Sequence, residues 1–261
     1  MKLKFEFSDV EYSASSILHF TKSNMTDFWR EAFFYFYPDV DKQKFNAMSD
    51  DERLIFLRTY LSNFYDANKT EIAQKISDYN VHWKNNEMQI VAALQDIFSI
   101  DLTDIFNDLV CYTTFNPISP RYLDKNSFDN FYLESKAGAL GSAIHEIIHF
   151  IWFYAWQKHF HDNTADYETP HLKWILSEMV VEPIMRDERL ASINPYYTDK
   201  SCVYPYFYTM QINGKPILDT LYEMLSSMPM SDFMEKSYQL CIEHETEIRN
   251  HIKDAENSNC T

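Results

Sequence analysis

Two histidines and a glutamate stand close together near the middle of the chain, in the order His145, Glu146, His149. On a helix, side chains four residues apart lie on one face, so the two imidazoles can meet at one point. That geometry suits two nitrogen ligands of a tetrahedral zinc ion with an open fourth position. Glu146, one residue after the first histidine, can reach a water there and act as a general base.

The same pattern also arises by chance, on a buried helix whose histidines only find hydrogen-bond partners. Its context favours a site. Residues 137–156 are strongly apolar, and two histidines and a glutamate would be costly to bury there without a role. Two of the three glycines of the chain, Gly138 and Gly141, come just before the pattern. Glycine is unfavourable inside helices, so its use here indicates close packing of the helix or a tight turn at its start.

A candidate third ligand follows on a second apolar helix. Thr169 suits the N-cap of that helix and Pro170 its first position, and we expect it to continue to about residue 190. Glu178 and Glu182 are four residues apart, hence on one face, and their neighbours are apolar. A solvated acidic face is the alternative. Pro183 is expected to kink or end the helix just after the pair.

The histidine and glutamate pattern resembles that of the zincin metallopeptidases. The metzincin branch would require glycine at position 152 and histidine at position 155, where this chain has Trp152 and Ala155. The added glutamate on a second helix resembles the gluzincins, the thermolysin-like branch. The resemblance covers roughly residues 127–190. The residues around the glutamate differ from the usual ones of the family, and the gap from His149 to Glu178 is longer than in thermolysin.

The resemblance implies a set of roles. Glu178 would be the third zinc ligand, Glu182 would orient the ring of His145, and one zinc would bind per chain. Gluzincins also place a tyrosine or histidine downstream to stabilise the oxyanion. The candidates are Tyr204, Tyr206 and Tyr208, with His244 and His251 as further donors. A packed aromatic loop is the alternative interpretation of these tyrosines.

Charge and cysteine content limit the partners. The 261 residues include 23 Lys and Arg against 39 Asp and Glu, a formal charge of −16. This acidity argues against nucleic acid or an anionic membrane as a partner. We expect no membrane span, because the most apolar stretch is interrupted by the site residues, and no secretory signal. Four scattered cysteines indicate reduced thiols in a cytoplasmic protein.

Periodicity predicts an α+β, mainly α-helical fold: a zincin-like core with a small sheet and two zinc-binding helices. Residues 1–108 are expected to form a helical N-terminal subdomain, and residues 109–261 a zincin-like catalytic region with C-terminal helices. The two would form one continuous unit. The predicted strands are 2–7, 109–115 and 127–133. The predicted helices are 13–37, a helix that starts at a capping box in 49–52, 70–99 with a break near 85–86, 137–158, 170–190, 216–228 and 231–257.

The segment 127–133 has two interpretations. By resemblance to zincins it would be an edge strand that pairs with extended substrate, and otherwise it is an ordinary core strand. For the whole protein we expect a zinc-dependent peptidase that acts on a peptide or protein, with Glu146 as general base. The alternative is a catalytically inactive zinc-binding scaffold or a protein-interaction module, including a helical protein with a chance pattern.

Overall fold

The computed structural model describes residues 1–162 and 164–258. The protein is mainly α-helical with small sheets, which confirms the predicted α+β class. The helices are α1 (Val10–Phe20), α2 (Asp27–Phe36), α3 (Lys42–Ala47), α4 (Asp50–Phe98), α5 (Lys136–Phe160), α6 (Leu172–Met185), α7 (Glu188–Ala191), α8 (Pro195–Thr198), α9 (Pro205–Thr209), α10 (Ile217–Ser227), α11 (Met230–Glu243) and α12 (Glu245–Ser258). The strands are β1 (Leu3–Phe7), β2 (Leu109–Thr114), β3 (Arg121–Tyr122), β4 (Ser127–Phe131), β5 (Gln211–Ile212) and β6 (Lys215–Pro216).

Contacts between residues group the chain into two compact units, each built from two segments. Unit 1 comprises residues 1–85 and 106–139, and unit 2 comprises residues 86–105 and the chain from residue 140 onwards. The division into a subdomain of 1–108 and a catalytic region of 109–261 stays a prediction. No helix among the described residues is both long and apolar enough to cross a membrane.

Unit 1 contains a four-stranded sheet in the order β1-β2-β4-β3. β1, β2 and β4 run parallel, and β3 is antiparallel to β4. The outer edge of β1 is closed by a side chain of α4: the backbone N–H of Phe5 donates to Asn80 Oδ1 at 3.0 Å, and Asn80 Nδ2 donates to the Phe5 carbonyl at 2.8 Å. This amide replaces a neighbouring strand and keeps the edge from pairing further.

Of the two interpretations of segment 127–133, the edge strand is wrong and the core strand is confirmed. β4 lies between β2 and β3, and all five of its residues are buried. The segment before it folds back, so that Arg121 pairs with Phe128 and the Asp129 N–H donates to the Pro120 carbonyl at 2.9 Å. Two residues are too short to show a strand pattern, which is why β3 was missed.

Several predicted helix boundaries need correction. The expected helix 13–37 is two helices, α1 and α2, because Thr21 turns its hydroxyl back to the Ile17 carbonyl at 2.8 Å and ends the first. The expected helix 231–257 is divided into α11 and α12 at His244. In contrast, α4 runs without a break through Asn85 and Asn86. It contains no glycine or proline, and asparagine costs only a few tenths of a kcal/mol in a helix.

The capping box at the start of α4 is confirmed. The Glu52 N–H donates to Ser49 Oγ at 3.3 Å, and the Ser49 N–H donates to Glu52 Oε2 at 2.8 Å. Cys111, Cys202 and Cys241 are buried free thiols, and the cytoplasmic location stays a prediction. Cys260 lies outside the described residues.

Within unit 2, α6 is the most deeply buried element. Every one of its residues except Trp174 is buried, so the helix is packed on all sides, as is typical of a central and mostly apolar helix. It begins at Leu172 with His171 as N-cap, so the prediction of Thr169 as N-cap and Pro170 as first helical residue is wrong. A turn closed by the His171 N–H and the Glu168 carbonyl, 3.0 Å apart, comes first. The helix ends at Met185, two residues after Pro183, as expected from the proline, so the predicted extension to about residue 190 is wrong.

A buried lysine ties the end of α5 to the first turn of α6. Lys173 Nζ lies 2.6 Å from Asp162 Oδ2 and 2.9 Å from Asp166 Oδ2. Asp162 also accepts from Trp156 Nε1 at 2.9 Å and from the Tyr167 hydroxyl at 2.8 Å. Burial raises the pKa of Asp162, but these hydrogen bonds and the charge of Lys173 outweigh it and hold the pKa below its ordinary value.

We predict that Lys173→Met lowers the free energy of unfolding by roughly 1–2 kcal/mol, because it leaves two partly buried carboxylates without their cation. The Asp162 carboxylate stabilises the fold above its ordinary pKa of 3.8, and this contribution is lost as pH falls through the lower folded value. As pH is lowered, the free energy of unfolding of the variant should therefore fall less steeply than that of the wild type. Urea unfolding as a function of pH measures both effects. Lys236→Met, at an exposed position, is the control, and equal losses in the two variants would contradict the role of Lys173.

Candidate metal centre

The helix α5 presents the two histidines and Glu146. Residues 140–156 carry an almost unbroken series of buried apolar side chains, and the helix contains no proline. Its i, i+4 periodicity places His145 and His149 on one face, as the sequence predicts. His149 is completely buried, and its ring lies against Phe153 with a centroid distance of 6.5 Å.

Glu178 of α6 meets both imidazoles, and together the three side chains can hold a metal ion. His145 Nε2 and His149 Nε2 are 3.0 Å apart. Glu178 Oε2 is 3.5 Å from His145 Nε2, and Glu178 Oε1 is 3.4 Å from His149 Nε2. In a tetrahedral site with ligand bonds of about 2.1 Å, ligand atoms lie about 3.4 Å apart. The two distances to Glu178 are close to this value, although they join different oxygens of the carboxylate, and the two nitrogens lie somewhat closer together.

The tautomer of His145 follows from its other nitrogen. Nδ1 lies 2.9 Å from the backbone carbonyl of Cys202. A carbonyl only accepts hydrogen bonds, so Nδ1 carries the proton and Nε2 keeps its lone pair for a metal. Burial lowers the pKa of His145, but the nearby Glu178 and Glu146 carboxylates and the Cys202 carbonyl outweigh it, and the pKa is raised. In the absence of a metal, a proton is thus drawn to the position that a cation would take.

Two buried carboxylates give the site its negative charge. Glu178 is 4% exposed and Glu146 is 8% exposed. Glu146 Oε1 lies 4.0 Å from His145 Nε2, which is longer than the distances among the three candidate ligands. This position places a second carboxylate beside the three candidate ligands. A divalent cation at the centre would neutralise both acids, which a single protonated histidine cannot do.

Glu182 does not take the predicted place beside His145. Its two oxygens accept from Arg186 Nε at 3.1 and 3.0 Å, and Arg186 also donates to Asp219 at 2.8 Å. Burial raises the pKa of Glu182 more than the guanidinium lowers it. Glu182 lies one turn beyond Glu178 on α6 and thus meets Arg186, four residues further on. The Cys202 carbonyl takes the role that was expected of Glu182, the orientation of the His145 ring.

The three candidate tyrosines lie in different surroundings. Tyr206 is buried, and burial, Tyr204 and Glu178 together raise its pKa, so its hydroxyl stays protonated. The hydroxyl of Tyr208 lies 3.2 Å from the sulfur of Cys202. The ring of Tyr204 stacks on that of Tyr206 with a centroid distance of 5.2 Å. Of the two histidines named as further donors, His251 Nε2 contacts the Tyr206 carbonyl at 3.0 Å and His244 contacts Asn213 and Glu247.

Gly141 shows the close packing that its position suggests. A Cβ atom there would lie 2.6 Å from Asn194 Oδ1 and 2.8 Å from Tyr196 Cδ2. Sequence reasoning identified the glycine but not its partners, and it missed Cys202 completely. A backbone carbonyl has no sequence signature, so only the fold reveals it.

We predict that the metal-free protein binds one divalent transition-metal ion with high affinity and that His149→Ala abolishes stoichiometric binding, because it removes one of three ligands from a buried site. Equilibrium dialysis followed by elemental analysis measures the content. His159→Ala is the control, since this histidine is half-exposed and bonded to Glu235 at 2.9 Å. Full metal retention in His149→Ala would contradict the assignment.

Comparisons of the chain with protein-family models, with curated proteins and with solved structures find no match. The geometry of the centre therefore carries the functional argument.

Proposed function

We propose that this protein is a zinc-dependent peptidase in which His145, His149 and Glu178 hold the metal. One observation carries the proposal: two imidazole nitrogens and the Glu178 carboxylate converge with separations of 3.0–3.5 Å, and the Glu146 carboxylate lies beside them. Two nitrogens and one oxygen are a ligand set typical of catalytic zinc. The resemblance of the pattern to the gluzincins supports the same conclusion.

The reaction is hydrolysis of a peptide bond. Zinc, when bound, supplies a Lewis acid that makes water more acidic and polarises the scissile carbonyl. Glu146 accepts a proton as a water oxygen attacks the carbonyl carbon, and it returns that proton to the amine nitrogen as the C–N bond breaks. The products are a carboxylic acid and an amine, the acid then loses its remaining proton to the amine to give a carboxylate and an ammonium group, and Glu146 ends in its starting state.

Tyr206 is the donor that we assign to the oxyanion. It is buried, and its raised pKa, to which Glu178 contributes, keeps the proton available. Tyr208 is less suited, because its hydroxyl is engaged with the Cys202 sulfur. The substrate is a peptide or a protein. The free thiols of the described cysteines suit a reducing compartment, and we place the enzyme in the cytoplasm.

Glu146→Gln should keep the fold and bind zinc as the wild type does, because it preserves the size of the side chain. It should lower peptide hydrolysis at least about a hundredfold, since an amide cannot accept the proton. The assay uses a peptide library with zinc-loaded wild type, chelated wild type and the variant. Glu235→Gln is the matched control at an exposed glutamate of the same unit.

Two outcomes would contradict the assignment. Equal hydrolysis by wild type and Glu146→Gln would remove Glu146 as the base. A zinc-loaded wild type that cleaves nothing in the library would favour the zinc-binding scaffold over the peptidase.

Tyr206→Phe should lower kcat about a hundredfold with little change in KM or in zinc content, because the hydroxyl acts on charge that develops only in the transition state. Tyr204→Phe, on the neighbouring stacked ring, should change kcat by less than about threefold. Steady-state kinetics on one cleaved peptide separates the two constants. If Tyr204→Phe shows the larger loss of kcat, the donor is misassigned.

A further inference from the structure

The face of α5 that bears His145 also bears Gly141, four residues earlier. At Gly141 the helix backbone is covered by Asn194 and Tyr196, which approach so closely that a Cβ would collide with both. The chain that starts at this contact returns to the same helix one turn later. There the Cys202 carbonyl accepts from His145 Nδ1 at 2.9 Å.

The segment between these two contacts is tied together internally. The Tyr196 N–H donates to Asn194 Oδ1 at 3.0 Å, and the Ser201 N–H donates to the Tyr196 carbonyl at 2.8 Å. Asn194 is itself 2% exposed, and its Nδ2 lies 3.2 Å from the sulfur of Met185 on α6. Because the segment is tied together in this way, the contact of Asn194 with α5 also fixes the position of Cys202.

The far end of the segment is held through the Cys202 side chain. Its sulfur lies 3.2 Å from the Tyr208 hydroxyl, and the thiol is buried. Burial raises the pKa of this thiol to about 11, so it is neutral at ordinary pH and serves as a packing and hydrogen-bonding group. Tyr208 follows on α9 and thus connects the Cys202 backbone to the next helix.

We infer that residues 194–202, seated on Gly141 and held by Tyr208, form a clamp that fixes the ring of His145 for metal binding. Gly141, Cys202 and Tyr208 are positioning residues: none supplies a ligand atom, but together they place the carbonyl that selects the Nε2 lone pair for the metal. The inference rests on the metal centre and not on peptidase activity. Outer partners of a metal-binding histidine typically contribute about 10–100-fold in affinity.

The clamp is tested with Gly141→Ala, Cys202→Ala and Tyr208→Phe. Tyr238→Phe is the control: it makes the same chemical change in the same unit, on a tyrosine that packs against Trp156. The zinc dissociation constant is measured by competition with a chelator. The tautomer of His145 is read by two-dimensional ¹⁵N NMR of the imidazole rings, in zinc-loaded protein and in metal-free protein at alkaline pH, where the rings are neutral.

In the wild type and in Tyr238→Phe, His145 should show a single Nδ1–H tautomer. Gly141→Ala should weaken zinc binding about 10–100-fold and give a mixture of tautomers, because the displaced segment no longer presents the carbonyl. Cys202→Ala and Tyr208→Phe should weaken binding several-fold in the same direction. If Gly141→Ala does not fold, these two variants decide.

The inference is overturned if the folded variants bind zinc as the wild type does and keep the Nδ1–H tautomer. It is also overturned if Tyr238→Phe loses as much affinity as they do, because the effect would then be general destabilisation. A wild type that binds no zinc would refute the proposed function, and the tautomer in the metal-free protein would still decide the clamp. Wild-type zinc binding without peptidase activity would leave the clamp standing.

Discussion

Two imidazoles and two carboxylates lie within about one side-chain length of one another in the apolar interior of unit 2, and the rest of that unit is arranged around them. Polar and charged groups in such surroundings are costly unless they are paired. A cation at the centre of the four groups resolves the cost, and the raised pKa of His145 shows that, without a metal, a proton is attracted to the same place. Because these groups converge, a positive charge at their centre is stabilising. The neighbouring elements must leave room for a cation there and must not supply the positive charge themselves.

The imidazoles of α5 meet the Glu178 carboxylate of α6 only if the two helices keep a fixed relative position within the unit. The burial of α6 on all sides supplies most of the constraint, because a packed interior does not allow a helix to rotate or slide. The ion pairs of Lys173 with Asp162 and Asp166 add a second, directional constraint at the point where the chain passes from α5 to α6. One turn before His145 on α5, the close approach at Gly141 sets the distance to the segment that carries the Cys202 carbonyl. Packing thus fixes the helices, and short polar contacts fix the rings.

Much of the centre could be predicted from the sequence, because helical periodicity alone puts His145 and His149 together and Glu178 stands in an apolar helix. The observed α5 begins one residue before and ends two residues after the predicted 137–158. What could not be predicted depends on contacts between distant segments. The two residues of β3 make β4 an inner strand, and no local pattern reveals them. The partner of Glu182 had a local signal, the arginine four residues later, but the family resemblance led to His145 instead.

The Cys202 carbonyl, and not the expected Glu182 carboxylate, lies beside His145, and this difference affects the charge of the site. With Glu178 and Glu146 at the centre, a divalent ion leaves the site neutral overall. If Glu182 also faced His145, the same ion would leave one net negative charge in a buried place, and the centre would hold its metal more tightly at the expense of Lewis acidity. The structure avoids this by turning Glu182 to Arg186, whose guanidinium it shares with Asp219. A backbone carbonyl then fixes the ring without adding charge, so the orientation of His145 and the charge of the metal centre are controlled by separate groups.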